Sequence, residues 1–164
     1  MTDSTTSKDA VVIERTFDAP TDLIWQMWTK PEHLKNWYGP QGFSIPIAEM
    51  DVRVGGKRLI CMEMKTPDRI MKIWTTGEFT ELTPHTRLAY TDSPSDEHGN
   101  LVIMDGDESP LITVVTVVLE DLDGRTKMVT THAGLPANDQ GASEGWKQAV
   151  TKLADYLETL TSND

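Results

Sequence analysis

Cysteine and long apolar runs are nearly absent from this sequence of 164 residues, in which Cys61 is the only cysteine. A single cysteine excludes a disulfide within the chain, and its place in an apolar strand pattern favours a small core residue over a nucleophile. No run approaches the roughly 18 apolar residues of a membrane-spanning helix, and no apolar stretch of signal-peptide type opens the sequence. We therefore expect a cytoplasmic protein that does not insert into membranes.

Basic residues are also scarce. Lys and Arg number 15 against 26 Asp and Glu, which gives a formal net charge of −11. Nucleic acids and anionic membranes need a basic surface, so neither is expected as a partner. No Lys or Arg lies between Arg87 and Arg125, where acidic residues are frequent. We interpret this segment either as a solvated acidic edge of a sheet or as a docking face for a basic partner.

The sequence has no recognisable metal or phosphate site. The four histidines are far apart and have no ligand partner at helix or hairpin spacing, so zinc and iron are not expected. They are His33, His85, His98 and His132. The glycine pair in residues 54–57 lies between predicted strands rather than before a helix, which argues against a phosphate-binding loop. We predict no metal and no cofactor.

Two periodicities predict the secondary structure. Residues 11–17 alternate as a strand, and the apolar residues that follow recur at helical spacing and predict two short helices ending near Asn36. The remaining predicted strands span 47–52, 57–66, 70–82, 87–91, 111–119 and 125–132. Gly77 suggests a bulge or a strong bend, and residues 92–110 are expected to form a long mobile hairpin loop.

A long helix is predicted at the C-terminal end, with Asn138 as its cap and an apolar stripe that includes Trp146, Val150 and Leu153. Short strands joined by tight turns make an antiparallel sheet, and only this helix is long enough to cover its apolar face. We predict an α+β fold in which a curved antiparallel sheet of six or seven strands wraps around the helix. Residues 11–160 would form one domain, with 1–10 as a disordered tail and 161–164 as a second tail.

Several motifs in order resemble those of one known superfamily. They are residues 37–43 (WYGPQGF), 50–57 (MDVRVGGK), 77–84 (GEFTELTP), 87–88 (RL), 131–135 (THAGL) and 145–146 (GW). This set is similar to the SRPBCC or START-like proteins, in the branch named for the C-terminal domain of the heat-shock protein 90 ATPase activator. The resemblance implies the helix-grip fold with a cavity between sheet and helix, and members of this kind often pair as homodimers.

We expect the cavity wall to be built from large apolar side chains with a few polar ones among them. The candidate ligand-binding residues are Trp28, Trp37, Met62, Met64, Trp74, Tyr90, Val115, Val117, Met128, Thr130, His132, Trp146, Val150 and Leu153. In the helix-grip fold, core and cavity wall are the same surface. The expected occupant is a small hydrophobic molecule, lipid-like or aromatic.

No catalytic set is compelled by the sequence, although four residues are candidates for proton transfer. His132 is either a general acid or base or a hydrogen-bonded histidine at a strand end. Tyr90 either presents its hydroxyl to a ligand carbonyl or lies at the cavity rim. Glu81 and Arg15 either form a buried pair that orients a ligand or lie on the solvent face.

Three functions follow, in order of preference. The first is binding of a hydrophobic ligand, which needs only the cavity. The second is a cyclase, dehydratase or hydrolase that acts on such a molecule, and the third is a co-chaperone-like module that contacts a chaperone. The resemblance implies a superfamily that includes carriers of lipids and other hydrophobic ligands, aromatic polyketide cyclases and co-chaperone domains, so the fold alone does not decide among these functions.

Overall fold

The computed structural model describes residues 10–104, 106–135 and 140–161. The elements are β1 (Ala10–Phe17), α1 (Thr21–Thr29), α2 (Pro31–Leu34), β2 (Ser44–Met50), β3 (Lys57–Lys65), β4 (Ile70–Thr83), β5 (Arg87–Pro94), β6 (Thr113–Asp121), β7 (Thr126–Ala133) and α3 (Gln140–Thr161). This order confirms the predicted α+β class. The predicted cap Asn138 and almost all of both predicted tails lie outside the described residues. No described helix is long and apolar enough to cross a membrane.

The seven strands form one antiparallel sheet in the order β1-β7-β6-β5-β4-β3-β2. All neighbouring pairs are antiparallel, and β1 and β2 are the two edges. Alternate residues of each strand point to opposite faces, and the inner face carries the buried side chains that pack against α3. The helix-grip architecture predicted from the sequence is therefore confirmed.

Trp28 of α1 lies at the centre of an aromatic cluster inside the core. Its ring is 4.8 Å from Trp37, 6.1 Å from Trp146 and 6.4 Å from Tyr38, measured between centroids. Its indole Nε1 donates a hydrogen bond to Met128 Sδ at 3.3 Å. The two short helices therefore extend the apolar core that the sheet and α3 begin.

Strand β5 extends three residues beyond the predicted end. Residues 92–110 were predicted to form a loop, but Asp92, Ser93 and Pro94 continue the strand, and Ser93 pairs with Thr76 of β4. Polar residues and a proline hid this extension, because such residues usually mark a turn. The consequence is functional, since the Asp92 side chain follows Leu88 and Tyr90 on the inner face.

Gly77 lies where two strands approach very closely. A Cβ at this position would overlap the carbonyl oxygen of Thr91 on β5, so only glycine fits. The register shift of the β4 and β5 pair lies further along, between Phe79 and Glu81. Arg58 of β3 pairs with Gly77, so its long side chain has a neighbour without a side chain on the inner face.

Candidate functional site

A pocket of about 170 Å³ lies between the sheet and the N-terminal half of α3. Its walls come from the loop after α2, from four strands and from the helix. The lining residues are Tyr38, Gly39, Pro40, Met62, Thr75, Asp92, His132, Gly141, Ala142, Gly145, Trp146 and Ala149. Most of these side chains are small or apolar, so Asp92 and His132 stand out as ionisable groups.

Three of the predicted wall residues line this pocket: Met62, His132 and Trp146. Eight others lie in the packed core, namely Trp28, Trp37, Val115, Val117, Met128, Thr130, Val150 and Leu153. Tyr90 is also fully buried, and Met64 lies beside Gly42 in the loop after α2. Core and cavity wall are therefore only partly the same surface in this protein.

Trp74 was predicted as a cavity wall residue, and this prediction is wrong. Its neighbour Thr75 lines the pocket on the inner face, so Trp74 points to the outer face, where it pairs with Cys61 of β3. Cys61 is buried there, and burial raises the pKa of its thiol. A protonated, buried thiol agrees with the expectation of a packing residue.

Arg15 and Glu81 do not form a buried pair. Arg15 is exposed on the edge strand β1, and Glu81 forms a surface ion pair with Arg87, with 2.9 Å between Arg87 Nε and Glu81 Oε1. Glu81 of β4 pairs with Ala89 of β5. The next pair along these two strands, Leu82 and Leu88, faces the core, so Glu81 faces the other way. Neither charge lines the pocket, so the solvent-face alternative is the correct one for both residues.

His132 is held in a chain of hydrogen bonds across the pocket. Trp146 Nε1 is 2.9 Å from His132 Nδ1, and because an indole N–H only donates, Nδ1 must accept. His132 Nε2 is therefore the protonated nitrogen, and it donates to Thr113 Oγ1 at 2.8 Å. Thr113 Oγ1 in turn donates to the main-chain carbonyl of Asp92. The only lone pair of the neutral imidazole is thus occupied, which assigns His132 to positioning the helix and strand β5.

A buried cation lies beside the pocket. Arg58 is only 2% exposed, and its Cζ lies 3.6 Å from the centroid of the Tyr90 ring. Two of its nitrogens, Nε and Nη2, have no hydrogen-bond partner among the described residues. The hydroxyls of Tyr90 and Tyr38 lie 2.7 Å apart, and Arg58 Cζ lies 5.9 Å from the centroid of the Tyr38 ring, so the cation is close to both tyrosines, of which Tyr38 lines the pocket.

Burial keeps both tyrosine hydroxyls protonated. It is the main cause that raises the pKa of Tyr90 well above its usual value, and the neighbouring Tyr38 adds to it. The pKa of Tyr38 is raised by burial and then by the charge of Asp92, against which Arg58 acts. Arg58, the two tyrosines and Asp92 therefore interact electrostatically, and we call these four residues the Arg58 cluster.

The loop that contains Tyr38 is fixed to α3. Lys152 Nζ donates to the carbonyl of Pro40 at 3.1 Å, and Gln148 Oε1 accepts from the main-chain nitrogen of Gln41 at 2.9 Å. Burial lowers the pKa of Lys152. These bonds set the width of the pocket, because Tyr38 and Pro40 line one side of it.

Arg58, Asp92 and Tyr38 were not among the site residues predicted from the sequence. Alternation along β3 contained the signal for Arg58, since it lies two residues before Ile60 on the face that also carries Met62. Asp92 was hidden because its strand was predicted to end at residue 91. No periodic signal marks Tyr38, whose position depends on the loop geometry.

Gly145 of α3 offers a test of the pocket wall. A Cβ there would meet only Pro40, at an ordinary 3.4 Å, so Gly145→Ala should raise the free energy of unfolding by about 1 kcal/mol through helix propensity. Urea denaturation measures this gain. Gly77→Ala is the contrasting variant, and it should be destabilised because its Cβ overlaps the Thr91 carbonyl. A loss of stability in Gly145→Ala would contradict this 3.4 Å spacing and would mean that Pro40 lies closer to α3.

No group of three or more His, Cys, Asp or Glu side chains that could hold a metal ion occurs within 10–104, 106–135 and 140–161. The imidazole of His132 is occupied by its own hydrogen bonds, so the polar chemistry of the pocket and the cluster beside it rests mainly on the carboxylate of Asp92, the two tyrosine hydroxyls and the guanidinium of Arg58. Such a set can accept a proton at Asp92 and donate hydrogen bonds from the tyrosine pair.

Solved structures with the same fold come from several bacteria. A protein from Arthrobacter aurescens is 26% identical, with a TM-score of 0.77 over 94% of this chain and 88% of that chain. A protein from Nitrosomonas europaea is 23% identical, with a TM-score of 0.76 over 95% and 98%. The AHSA1 protein from Silicibacter pomeroyi is 20% identical, with a TM-score of 0.69 over 92% and 98%.

The comparison with curated proteins found no match. The family model described as "Activator of Hsp90 ATPase homolog 1-like protein" matches residues 18–158, which covers most of the chain. This range begins just after β1, and it contains every pocket-lining residue. The fold of this family fits a ligand-binding or a regulatory role. The chain therefore belongs to the Activator of Hsp90 ATPase homolog 1-like family.

Proposed function

We propose that this protein binds a small hydrophobic molecule, about one ring in size, in the pocket between the sheet and α3. The observation that carries the proposal is the pocket itself, with Met62, Trp146 and Ala149 among its apolar walls. Pockets that bind small molecules combine such walls with a few polar groups that orient the ligand. Here Asp92 and Tyr38 are those groups.

The volume favours a single ring over a lipid. A cavity of about 150 Å³ lined by apolar side chains binds benzene, whereas pockets for larger ligands span about 300–1,000 Å³. At about 170 Å³, this pocket is close to the smaller case. Trp146 supports an aromatic ligand, because its ring can stack or make edge contacts with a bound ring. We therefore narrow the expected ligand from lipid-like or aromatic to a single ring with short substituents.

Filling the pocket should abolish binding. Ala142 of α3 lines the pocket and is half-buried, so Ala142→Phe would place a ring where the ligand is expected. We expect the affinity for a ligand such as ethylbenzene to fall at least about 100-fold, because the phenylalanine ring occupies the space that the bound ligand needs. Isothermal titration calorimetry with the two proteins measures this loss.

Ser143→Phe is the matched control. Ser143 follows Ala142 in α3 and is also half-buried, but it does not line the pocket, so this variant introduces the same ring beside the site. It should bind the ligand as the unmodified protein does. Equal binding by both variants, or no binding by the unmodified protein across a panel of single-ring compounds, would overturn the proposed function.

A further inference from the structure

Several hydrogen-bond donors of the Arg58 cluster have no acceptor among the described residues. Arg58 brings two buried nitrogens that have no partner in the described part of the chain. The hydroxyls of Tyr38 and Tyr90 carry two protons, and their mutual bond uses one of them. No described group accepts the second proton. Unused buried donors are costly, and a ligand that brings an oxygen without a proton would satisfy the one on the pocket wall, the Tyr38 hydroxyl.

Charge balance decides which kind of oxygen fits. The cluster already contains one cation, Arg58, and one carboxylate, Asp92, whose charge acts on both tyrosines. A ligand carboxylate would add a second negative charge beside Asp92, which disfavours it. A neutral carbonyl oxygen accepts the spare hydrogen bond of Tyr38, which lines the pocket, and leaves the charges balanced. The cluster therefore selects a ketone over an acid.

We propose, resting on the proposed function, that the ligand is a small cyclic or aryl ketone and that Asp92 transfers a proton to and from the carbon beside its carbonyl group. Tyr38 would donate to the carbonyl oxygen from the pocket wall. Tyr90 and Arg58 lie behind it and act through it, so they are positioning residues. Asp92 lines the same pocket and is half-buried, so its carboxylate faces both ligand and solvent.

The step is an enolisation. An Asp92 carboxylate oxygen takes the proton from the carbon beside the carbonyl, and the electron pair of that C–H bond forms a C=C bond. The carbonyl π pair moves onto the oxygen, where the hydrogen bond from Tyr38, which Arg58 polarises from behind, stabilises the resulting enolate. Return of a proton from Asp92 to carbon restores the ketone. No oxidant, reductant or second substrate is needed.

Hydrogen–deuterium exchange tests this step directly. Acetophenone in D₂O is incubated with the protein, and proton NMR follows the loss of its methyl signal. The unmodified protein should accelerate this loss, and Asp92→Asn should lower the protein-dependent rate by about 100-fold or more, as expected for removal of a general base. Glu81→Gln, which removes an exposed carboxylate of the same sheet, should leave the rate unchanged.

Binding is measured separately with acetophenone and with ethylbenzene, which has nearly the same shape but no carbonyl oxygen. Tyr38→Phe should weaken acetophenone binding about 10-fold, the effect of one hydrogen bond, and leave ethylbenzene binding unchanged. If ethylbenzene binds but acetophenone is not exchanged faster, or if Asp92→Asn exchanges as fast as the unmodified protein, the inference fails while the proposed function stands. If neither compound binds, the proposed function fails first.

Discussion

Trp28→Ala should lower the free energy of unfolding by about 3–5 kcal/mol, the usual cost of removing a fully buried large aromatic side chain. Trp28 is 1% exposed, and its ring contacts Trp37, Trp146 and Tyr90. Its loss also removes the hydrogen bond to Met128 Sδ. A typical domain is stable by only about 5–15 kcal/mol, so this variant would lose a large share of its stability.

Trp74→Ala is the matched control for Trp28→Ala. Trp74 is half-buried on the outer face, so its removal should cost less than half as much, about 1–2 kcal/mol. Urea denaturation followed by far-UV circular dichroism measures both variants without relying on tryptophan fluorescence. Equal losses in the two variants would contradict the assignment of Trp28 to the centre of the core and of Trp74 to the outer face.

The fold could be predicted because its signals are local and repeated. Alternation defined five of the seven strands to within about two residues of their observed bounds, and helical spacing defined α3. One exception is β2, which was predicted to span 47–52 but spans Ser44–Met50. The other is β5, whose last residues, Asp92 to Pro94, are polar or proline. These residues of β5 remain in the strand because Ser93 and Pro94 still pair with β4. Tertiary pairing overrides the local preference for a turn there.

The pocket was less predictable than the fold. Alternation showed which residues share a face of a strand. It did not show whether an inward-facing side chain is packed in the core or lines the pocket. Val117 and Met62 both face inward, yet Val117 is packed in the core and Met62 lines the pocket. The loop that carries Tyr38 decides where the pocket begins, and its position depends on contacts with Lys152 and Gln148, more than 100 residues away in sequence.

Arg58→Met should raise the free energy of unfolding by about 1–2 kcal/mol, although it removes a charged side chain from the protein interior. Two buried nitrogens without partners each cost about 1–3 kcal/mol, and methionine fills a similar volume without that cost. The lost stacking of the guanidinium on Tyr90, worth about 2 kcal/mol, offsets part of this gain. Asp92 is half-exposed, so water can solvate its charge once the cation is gone.

Stability and function should therefore move in opposite directions in Arg58→Met, as they do where a functional site is held at a cost to the fold. Lys57→Met is the matched control. Lys57 is exposed and pairs with Glu78 at 3.8 Å on the surface, so its replacement should change stability by no more than about 0.5 kcal/mol. Urea denaturation gives the stabilities, and binding of acetophenone, set against ethylbenzene, gives the function. A clear loss of stability in Arg58→Met would contradict this prediction and make the cation a structural partner of Asp92. A gain of stability together with weaker ketone binding would mean that the fold retains Arg58 for its ligand.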